Sequence, residues 1–405
     1  MTPTLHRWTP SVSTVEVWHA IHQQEFCAVF EAEDWVIGAL SSTSKWWHQG
    51  RDWSHLEEPQ GTIDIDNGPP FLEGLLAIIS FDGLIHAWVS DYSIALHKPS
   101  KQWYCWGTIE QLSTIQELCV QKSGAQPTTV DDSQVRNWMT QSEYRDAVDK
   151  VRETIRDGNV YQINLAHQIG PFKLTNPLST WLKLNESNPA KHACFWKTPT
   201  EMLLCNSPEL FLSITAEGSI ESLPIKGTHG DVDEPSSYTT LWESPKERAE
   251  LTMIVDMMRN DISIVAQYGS VKADERQIRQ CGDLLHAEQK VHGQLREGIS
   301  ILQAVHACFP PASVTGAPKE AALTYIRDLE PVDRNWYTGS FGFIDIRGHS
   351  TWNVLIRTLQ GTANDDDSMN AHLNIGAGIV YDSESQAEWQ ETMAKGRAIQ
   401  QVLRL

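Results

Sequence analysis

Apolar and polar positions recur along this chain with two different periods, and each change of period marks an element. Thr140 with Glu143 three residues on forms a capping box, Tyr144, Val148, Val151 and Ile155 follow at helical spacing, and Asp157-Gly158 closes the helix. Val160 to His167 then alternates apolar and polar, the pattern of a half-buried strand. A second helix is predicted from Ser244, with Pro245 in its first turn and Leu251, Ile254, Val255, Met258 and Ile262 on one stripe. A third covers Pro318 to Leu329 behind a Gly-Ala-Pro turn, and a fourth runs from a Ser383/Gln386 capping box towards Leu403. Met202 to Cys205, Phe341 to Ile346, Thr351 to Thr358 and Leu373 to Ile375 read as strands. In the N-terminal part, residues 1–120, short β runs such as Phe26 to Phe30 and Leu75 to Phe81 alternate with tryptophan-bearing segments, and the polar stretch 122–139 reads as a connecting loop. Strands and helices mix without strict βαβ alternation, which favours an antiparallel α+β architecture.

Composition narrows the function classes. Among 405 residues, 52 Asp and Glu stand against 32 Lys and Arg, a formal charge of −20, which argues against a nucleic-acid binder with its basic face. No apolar run approaches the length of a membrane helix, and the opening MTPTLHRWTPS lacks the basic and apolar stretches of a secretory signal. Seven cysteines are scattered without a CxxC pair, so they are expected to be reduced core thiols in the cytoplasm. The 16 tryptophans are expected mainly in the core.

Candidate chemistry is sparse when taken residue by residue. Glu247 and Glu250 stand at i and i+3 in SPKERAEL, and Glu388, Glu391 and Lys395 at i, i+3 and i+7 in EWQETMAK, so each set shares one helical face. Such pairs suit a solvated face with a Glu391–Lys395 ion pair, or, if the two helices converge, an all-oxygen site for Mg²⁺. Gly-rich turns are expected at PIKGTHGD, SVTGAPK and NIGAGIV, where backbone amides could meet an anion; none is a GxxxxGK[ST] phosphate loop or a GxGxxG fingerprint. Lys226 of PIKGT is a surface charge or a nucleophile; an ordinary lysine is only about 0.1% free amine near neutral pH, so the second role needs burial or a neighbouring cation. His286 fits no zinc spacing, and GxSxG is absent.

From about residue 140 onward the sequence resembles the chorismate-utilising enzymes, which include anthranilate, aminodeoxychorismate, isochorismate and salicylate synthases. The blocks that carry the resemblance are, in order, DGNVYQINLAHQ, SPELF, PIKGT, KERAELTMIVDMMRND, LLHAEQKVHG, FPPASVTGAPKEAA, RNWYTGSFGF, VLIRTL and GAGIVYDSESQAEWQET. The resemblance implies one large α+β domain, two packed antiparallel β-sheets with helices outside, in which residues 1–120 join the sandwich and 140–405 bind chorismate. It implies Glu247, Glu250, Glu388 and Glu391 as the Mg²⁺ ligands and Gln162, Tyr337, Arg357, Gly376, Ala377, Gly378 and Lys395 as substrate-binding positions. It further implies Glu209 as the acid that protonates the departing C4 hydroxyl, with Thr228 and His286 lining the same pocket.

Two positions separate the branches of the family. Gln162 stands where water-adding members carry a basic lysine, and Lys226 gives the PIKGT form typical of the aminodeoxychorismate synthase component I branch, in which that lysine attacks C2 and ammonia then attacks C4. The expected reaction is therefore amination of chorismate in the 4-aminobenzoate and folate branch. Anthranilate synthase component I is the nearest alternative, ahead of an isochorismate synthase or a catalytically silent chorismate-binding protein. Ammonia would come from a separate glutamine amidotransferase subunit, since no cysteine here sits in a GxCxG setting; neither a nucleic acid nor a membrane is expected as a partner. The chain departs from the family pattern at Gln289, Ala312, Asp231, Ser263 and Ile264, none of them a predicted ligand.

Overall fold

The computed structural model describes residues 3–404 apart from 42–47, 54–55, 62, 64–67, 122–128, 231–234 and 282–283. Among the described residues, two large antiparallel sheets of 13 and 9 strands and a small one of 3 form the frame. The larger sheet runs from the Thr4–Trp8 strand at one edge to Gln162–Leu174 near the other, and residues 4–107 supply strands to both large sheets. The sheets face each other across an aromatic layer: Phe30 of one stacks on Phe343 of the other at 5.1 Å, and Trp88 approaches Trp196 at 5.8 Å. Helices cover the outer faces. The Pro245–Val265 helix packs Leu251, Ile254, Val255, Met258 and Ile262 on the smaller large sheet, while Ile399 and Leu403 of the Ser385–Leu403 helix pack on the larger. No helix of the described residues is long and apolar enough to cross a membrane.

Most predicted elements are present, with their caps. The Thr140/Glu143 capping box opens the Gln141–Arg156 helix, and Ser244 caps the 245–265 helix through the Glu247 amide. The 319–329 helix also stands where the spacing put it. The fourth helix starts differently: Glu384 is its N-cap, without a side-chain bond, and Ser383 instead accepts from the Val380 amide and donates to Glu388 at 2.6 Å.

Two strand readings and one turn reading are corrected. The 162–174 strand is not half-buried. Ile163 and Leu165 face helices, and the alternate polar residues Gln162, Asn164 and Gln168 are buried too, because that face lines the interior of the site. The expected 351–358 strand is two: Ser350–Asn353 belongs to the 9-stranded sheet and Thr358–Ala363 to the 13-stranded one, with Arg357 in the left-handed region (φ 51°) at the crossing. NIGAGIV is no turn but the middle of the long Met369–Ile379 strand. Of the polar 122–139 stretch, 122–128 lies outside the described residues, and Val130–Asp131 and Arg136–Asn137 pair with the 162–174 strand.

Candidate active site

Two of the chain's crossings between the large sheets lie side by side and bring Glu209 and Arg357 together. Met202 to Cys205 ends in the larger sheet and Leu210 begins in the smaller; Asn353 leaves the smaller sheet and Thr358 enters the larger. The crossings are tied by Asn206 N–H to the Arg357 carbonyl (3.1 Å) and Val354 N–H to the Glu209 carbonyl (3.1 Å). Glu209 is 5% exposed. Burial pushes its carboxyl above the ordinary value, against the opposing pull of Ser313, Lys226 and Arg357.

Lys226 enters from the small sheet. Its strand, Ile225–Gly230, pairs with Leu284–Glu288, and the register slips between Lys226 and Thr228, where Gly227 takes φ 74°. This bulge redirects the side chain: Lys226 Nζ donates to the Ser313 carbonyl at 2.9 Å. Burial holds its ammonium below the ordinary pKa; Lys395 works the same way, while Glu250, Glu209 and Glu391 oppose it. His286, opposite Thr228, is 2% exposed, and burial plus the nearby Arg357 pushes it down to about 4, so it is neutral near pH 7. The Thr228 side chain lies outside the described residues, as does Asp231.

The floor is the 162–174/369–379 ladder, with Asn164 opposite Gly378, Leu165 opposite Ala377 and Ala166 opposite Gly376. Pairing of the 369–379 strand with Thr358–Ala363 ends at Leu373, so beyond it no described strand covers the other edge of Gly376 to Gly378. Their glycines give clearance: a Cβ at Gly378 would lie 2.5 Å from Gln162 Nε2 and 3.8 Å from Lys226 Nζ. The Gln162 amide is 1% exposed, and both its oxygen and nitrogen lack a hydrogen-bond partner among the described residues. An amide so placed is poised for a ligand, since burying it unbonded is costly. Lys395 Nζ donates to the Gly376 carbonyl at 3.2 Å and pairs with Glu391 at 2.8 Å. Tyr337 is buried, which raises its phenol pKa, and lies nearest Arg334 and Glu330.

The sequence did not single out the groups that hold this floor. Arg334, 3% exposed, pairs with Glu330 at 2.7 Å and donates to the carbonyls of Val314 and Asn164, joining the strand to the loop that carries Ser313. Gln360 accepts from the amides of Trp336 and Tyr337 and donates to Asn374. For Gln360 the signal was a polar residue inside an apolar strand, legible as a position and not as a partner; Arg334, between the 319–329 helix and the Ser340–Asp345 strand, had none.

The two glutamate pairs do converge. Burial raises Glu247, Glu250 and Glu388, and Glu391 adds repulsion on each of them from the other helix or the next turn. Burial would raise Glu391 too, but Lys395, Lys246 and Lys226 bring it below its ordinary value. A Cβ at Gly227 would sit 2.7 Å from Glu247 Oε2, which places this cluster against the Lys226 bulge. Hard carboxylate oxygens brought together in this way fit a divalent cation in donor type. Among the described residues no three such side chains are yet arranged to hold an ion, and Lys246 Nζ stands 3.9 Å from both Glu250 and Glu388.

Comparison with known proteins agrees with this geometry. A sequence profile described as chorismate binding enzyme matches residues 80–401, reaching upstream of residue 140 into the strands of the N-terminal part. The chain is 35% identical over 278 residues to anthranilate synthase component 1 1 of Haloarcula marismortui, covering 67% of this chain and 56% of that one. It is 33% identical over 271 residues to aminodeoxychorismate synthase component 1 of Bacillus subtilis, covering 66% and 56%. The chain thus spans little more than half the length of these relatives. The menaquinone-specific isochorismate synthase of Escherichia coli shares the fold, with a TM-score of 0.76 over 99% of this chain and 95% of that one, at 17% identity. With a profile that matches residues 80–401, most of its length, the chain belongs to the chorismate binding enzyme family.

Proposed function

We propose that this chain is the chorismate-aminating component of an aminodeoxychorismate synthase, and the observation that carries the reading is Lys226. Its amine is buried, held below its ordinary pKa and set beside an acid, Glu209. The orphaned Gln162 amide, which has no useful basicity, occupies the floor beside it, which disfavours activation of water.

In this reading the neutral Lys226 amine attacks C2 of chorismate, the ring double bonds shift, and the C4–O bond breaks. Glu209 gives its proton to the leaving hydroxyl, which departs as water, and then accepts the proton lost by the new secondary ammonium. Ammonia attacks C4, the double bonds shift back, and the C2–Nζ bond breaks as Glu209 returns its proton to Nζ, freeing the lysine as a neutral amine; Glu209 then takes the proton that the new C4 ammonium loses. The sum is chorismate plus ammonia to 4-amino-4-deoxychorismate plus water. Arg357, Lys395, Tyr337 and the open edge of Gly376, Ala377 and Gly378 are the groups for the two substrate carboxylates. His286, uncharged, can accept or donate near the ring without adding charge, and Thr228 stands opposite it on the strand. Glu247, Glu250, Glu388 and Glu391 would hold Mg²⁺, whose chemistry here is to neutralise a substrate carboxylate among acidic residues. A separate glutaminase would supply ammonia in the cytoplasm, and the product would enter 4-aminobenzoate formation.

The names of the relatives are divided and so support a second reading as well, anthranilate synthase component I, in which ammonia attacks C2 directly and Lys226 forms no bond. Intact-mass analysis with chorismate and Mg²⁺ but no ammonia separates them. The expected result is a lysine adduct on wild type that Lys226→Ala abolishes. No adduct, or one that survives the substitution, sinks the covalent role; fluorescent anthranilate and pyruvate formed on adding ammonium would establish the second reading.

A further inference from the structure

Lys246 is a cation on the wrong end of a helix. It sits in the first turn of the Pro245–Val265 helix, where the backbone dipole disfavours positive charge, and its i,i+4 partner Glu250 follows it in the less favourable order. Helix stability does not explain it; its surroundings do. Its Nζ stands 3.9 Å from Glu250 on its own helix and 3.9 Å from Glu388 on the other, between carboxylates that are 13% and 4% exposed. Burial would lower its pKa, yet Glu250, Glu388, Glu391 and Glu247 together raise it, so all four glutamates act on this one ammonium.

The contacts are also loose. Lys395 holds Glu391 at 2.8 Å and Arg334 holds Glu330 at 2.7 Å, hydrogen-bonded in both cases, whereas 3.9 Å is an ion pair without a hydrogen bond. The Lys246 side chain is 51% exposed, so water is open to it once it leaves. The four carboxylates face the ammoniums of Lys246 and Lys395 besides the Lys226 amine, so they outnumber the cations around them. Exchanging one ammonium for a divalent ion would lower that negative excess by one charge.

We propose that Lys246 is a resident counter-ion that spans the two helices in the metal-free protein and that a divalent cation must displace to bind. The inference rests on the reading of the four glutamates as the metal site. It gives Lys246 two effects: it neutralises the empty cluster, and it weakens metal binding until substrate carboxylates arrive to complete the exchange.

The test is Mn²⁺ binding to the full chain without chorismate, followed by the loss of the free-ion electron paramagnetic resonance signal and by calorimetry. Lys246→Gln should bind Mn²⁺ about tenfold more tightly than wild type, a gain of about 1.4 kcal/mol. Lys246→Arg, which keeps the charge, should stay within about twofold of wild type, well short of that gain. Glu388→Gln should lose binding, which locates the ion in this cluster. Equal or weaker binding by Lys246→Gln overturns the displacement role while leaving the metal site standing. Failure of wild type and every variant to bind Mn²⁺, with and without chorismate, overturns the metal reading and this inference with it.

Discussion

An acid that works at neutral pH must hold its proton, and burial moves Glu209, the proposed acid, in that direction. Its carboxyl is buried at a sheet crossing, so the neutral form is favoured; Lys226, Ser313 and Arg357 limit how far the pKa climbs. The same burial works in the opposite sense on Lys226 and favours its free amine. In the proposed reaction, acid and nucleophile are therefore set up by one physical cause acting on groups of opposite charge type. Glu209→Gln keeps the shape and removes the transferable proton. Its kcat should fall by about 10² to 10⁴ with KM little changed, and the alkaline limb that reports an acid losing its proton should vanish from the kcat profile. A variant with near wild-type kcat and the same alkaline limb would remove Glu209 from the chemistry.

At the scale of elements, the bulge at Gly227 aims Lys226, the proposed nucleophile. Its φ of 74° is one that a residue with a Cβ adopts only under strain, and the added atom would also meet Glu247 Oε2 at 2.7 Å and Leu241 Cδ1 at 2.8 Å. Gly227→Ala should cost about 1–2 kcal/mol in urea denaturation. It should also slow adduct formation on Lys226 more than it weakens Mn²⁺ binding, because the strand carrying Lys226 moves. Unchanged stability together with unchanged adduct rate would show that the bulge has no such role. Elements of this kind also show where the sequence was readable. The 245–265 helix was legible because cap, proline and stripe agree over six turns, and so was the sharing of a face by Glu247 and Glu250. Local periodicity could not show that a second pair on the 385–403 helix meets them, since convergence is a tertiary fact. The break at Arg357 was hidden because a non-glycine residue takes a left-handed conformation inside an apolar run. NIGAGIV misled for the converse reason: its glycines serve close approach inside a strand, with a Cβ at Gly376 only 2.8 Å from the Leu165 carbonyl. The structure brings Lys226, Glu209, Gln162, His286, Arg357 and the glutamates, which the resemblance singled out, close to one another, and their roles are the proposal above. The resemblance gave no role to Arg334 and Lys246, although both stand inside its blocks, or to Gln360, which lies outside them.

The whole molecule carries a charge of −20 and is asked to receive a dianion, so its long-range field opposes the proposed substrate and local cations must reverse it. The pH dependence of stability follows from the same crowding. Glu247, Glu250 and Glu388 have folded pKa values raised above 4.5, so the folded chain binds more protons than the unfolded one just above that pH. Their contribution to stability is full below 4.5 and is lost as pH rises through the folded values. His167 and His286, both held down to about 4 by burial, act oppositely: their contribution is full above 6.5 and is lost as pH falls from there towards 4. Above 6.5 the histidines no longer titrate, and what remains is the cost of ionised glutamates that a divalent cation can offset. Thermal melts at pH 8 should therefore rise by several degrees with Mg²⁺, about 2.7 kcal/mol at a hundred times Kd, and hardly move near pH 4.5. Glu388→Gln should melt higher than wild type at pH 8 without metal, match it near pH 4.5, and show no response to Mg²⁺. If Mg²⁺ stabilises both proteins equally, or the variant is the weaker one at pH 8, then the acidic cluster is neither the source of the alkaline penalty nor the place where the ion relieves it.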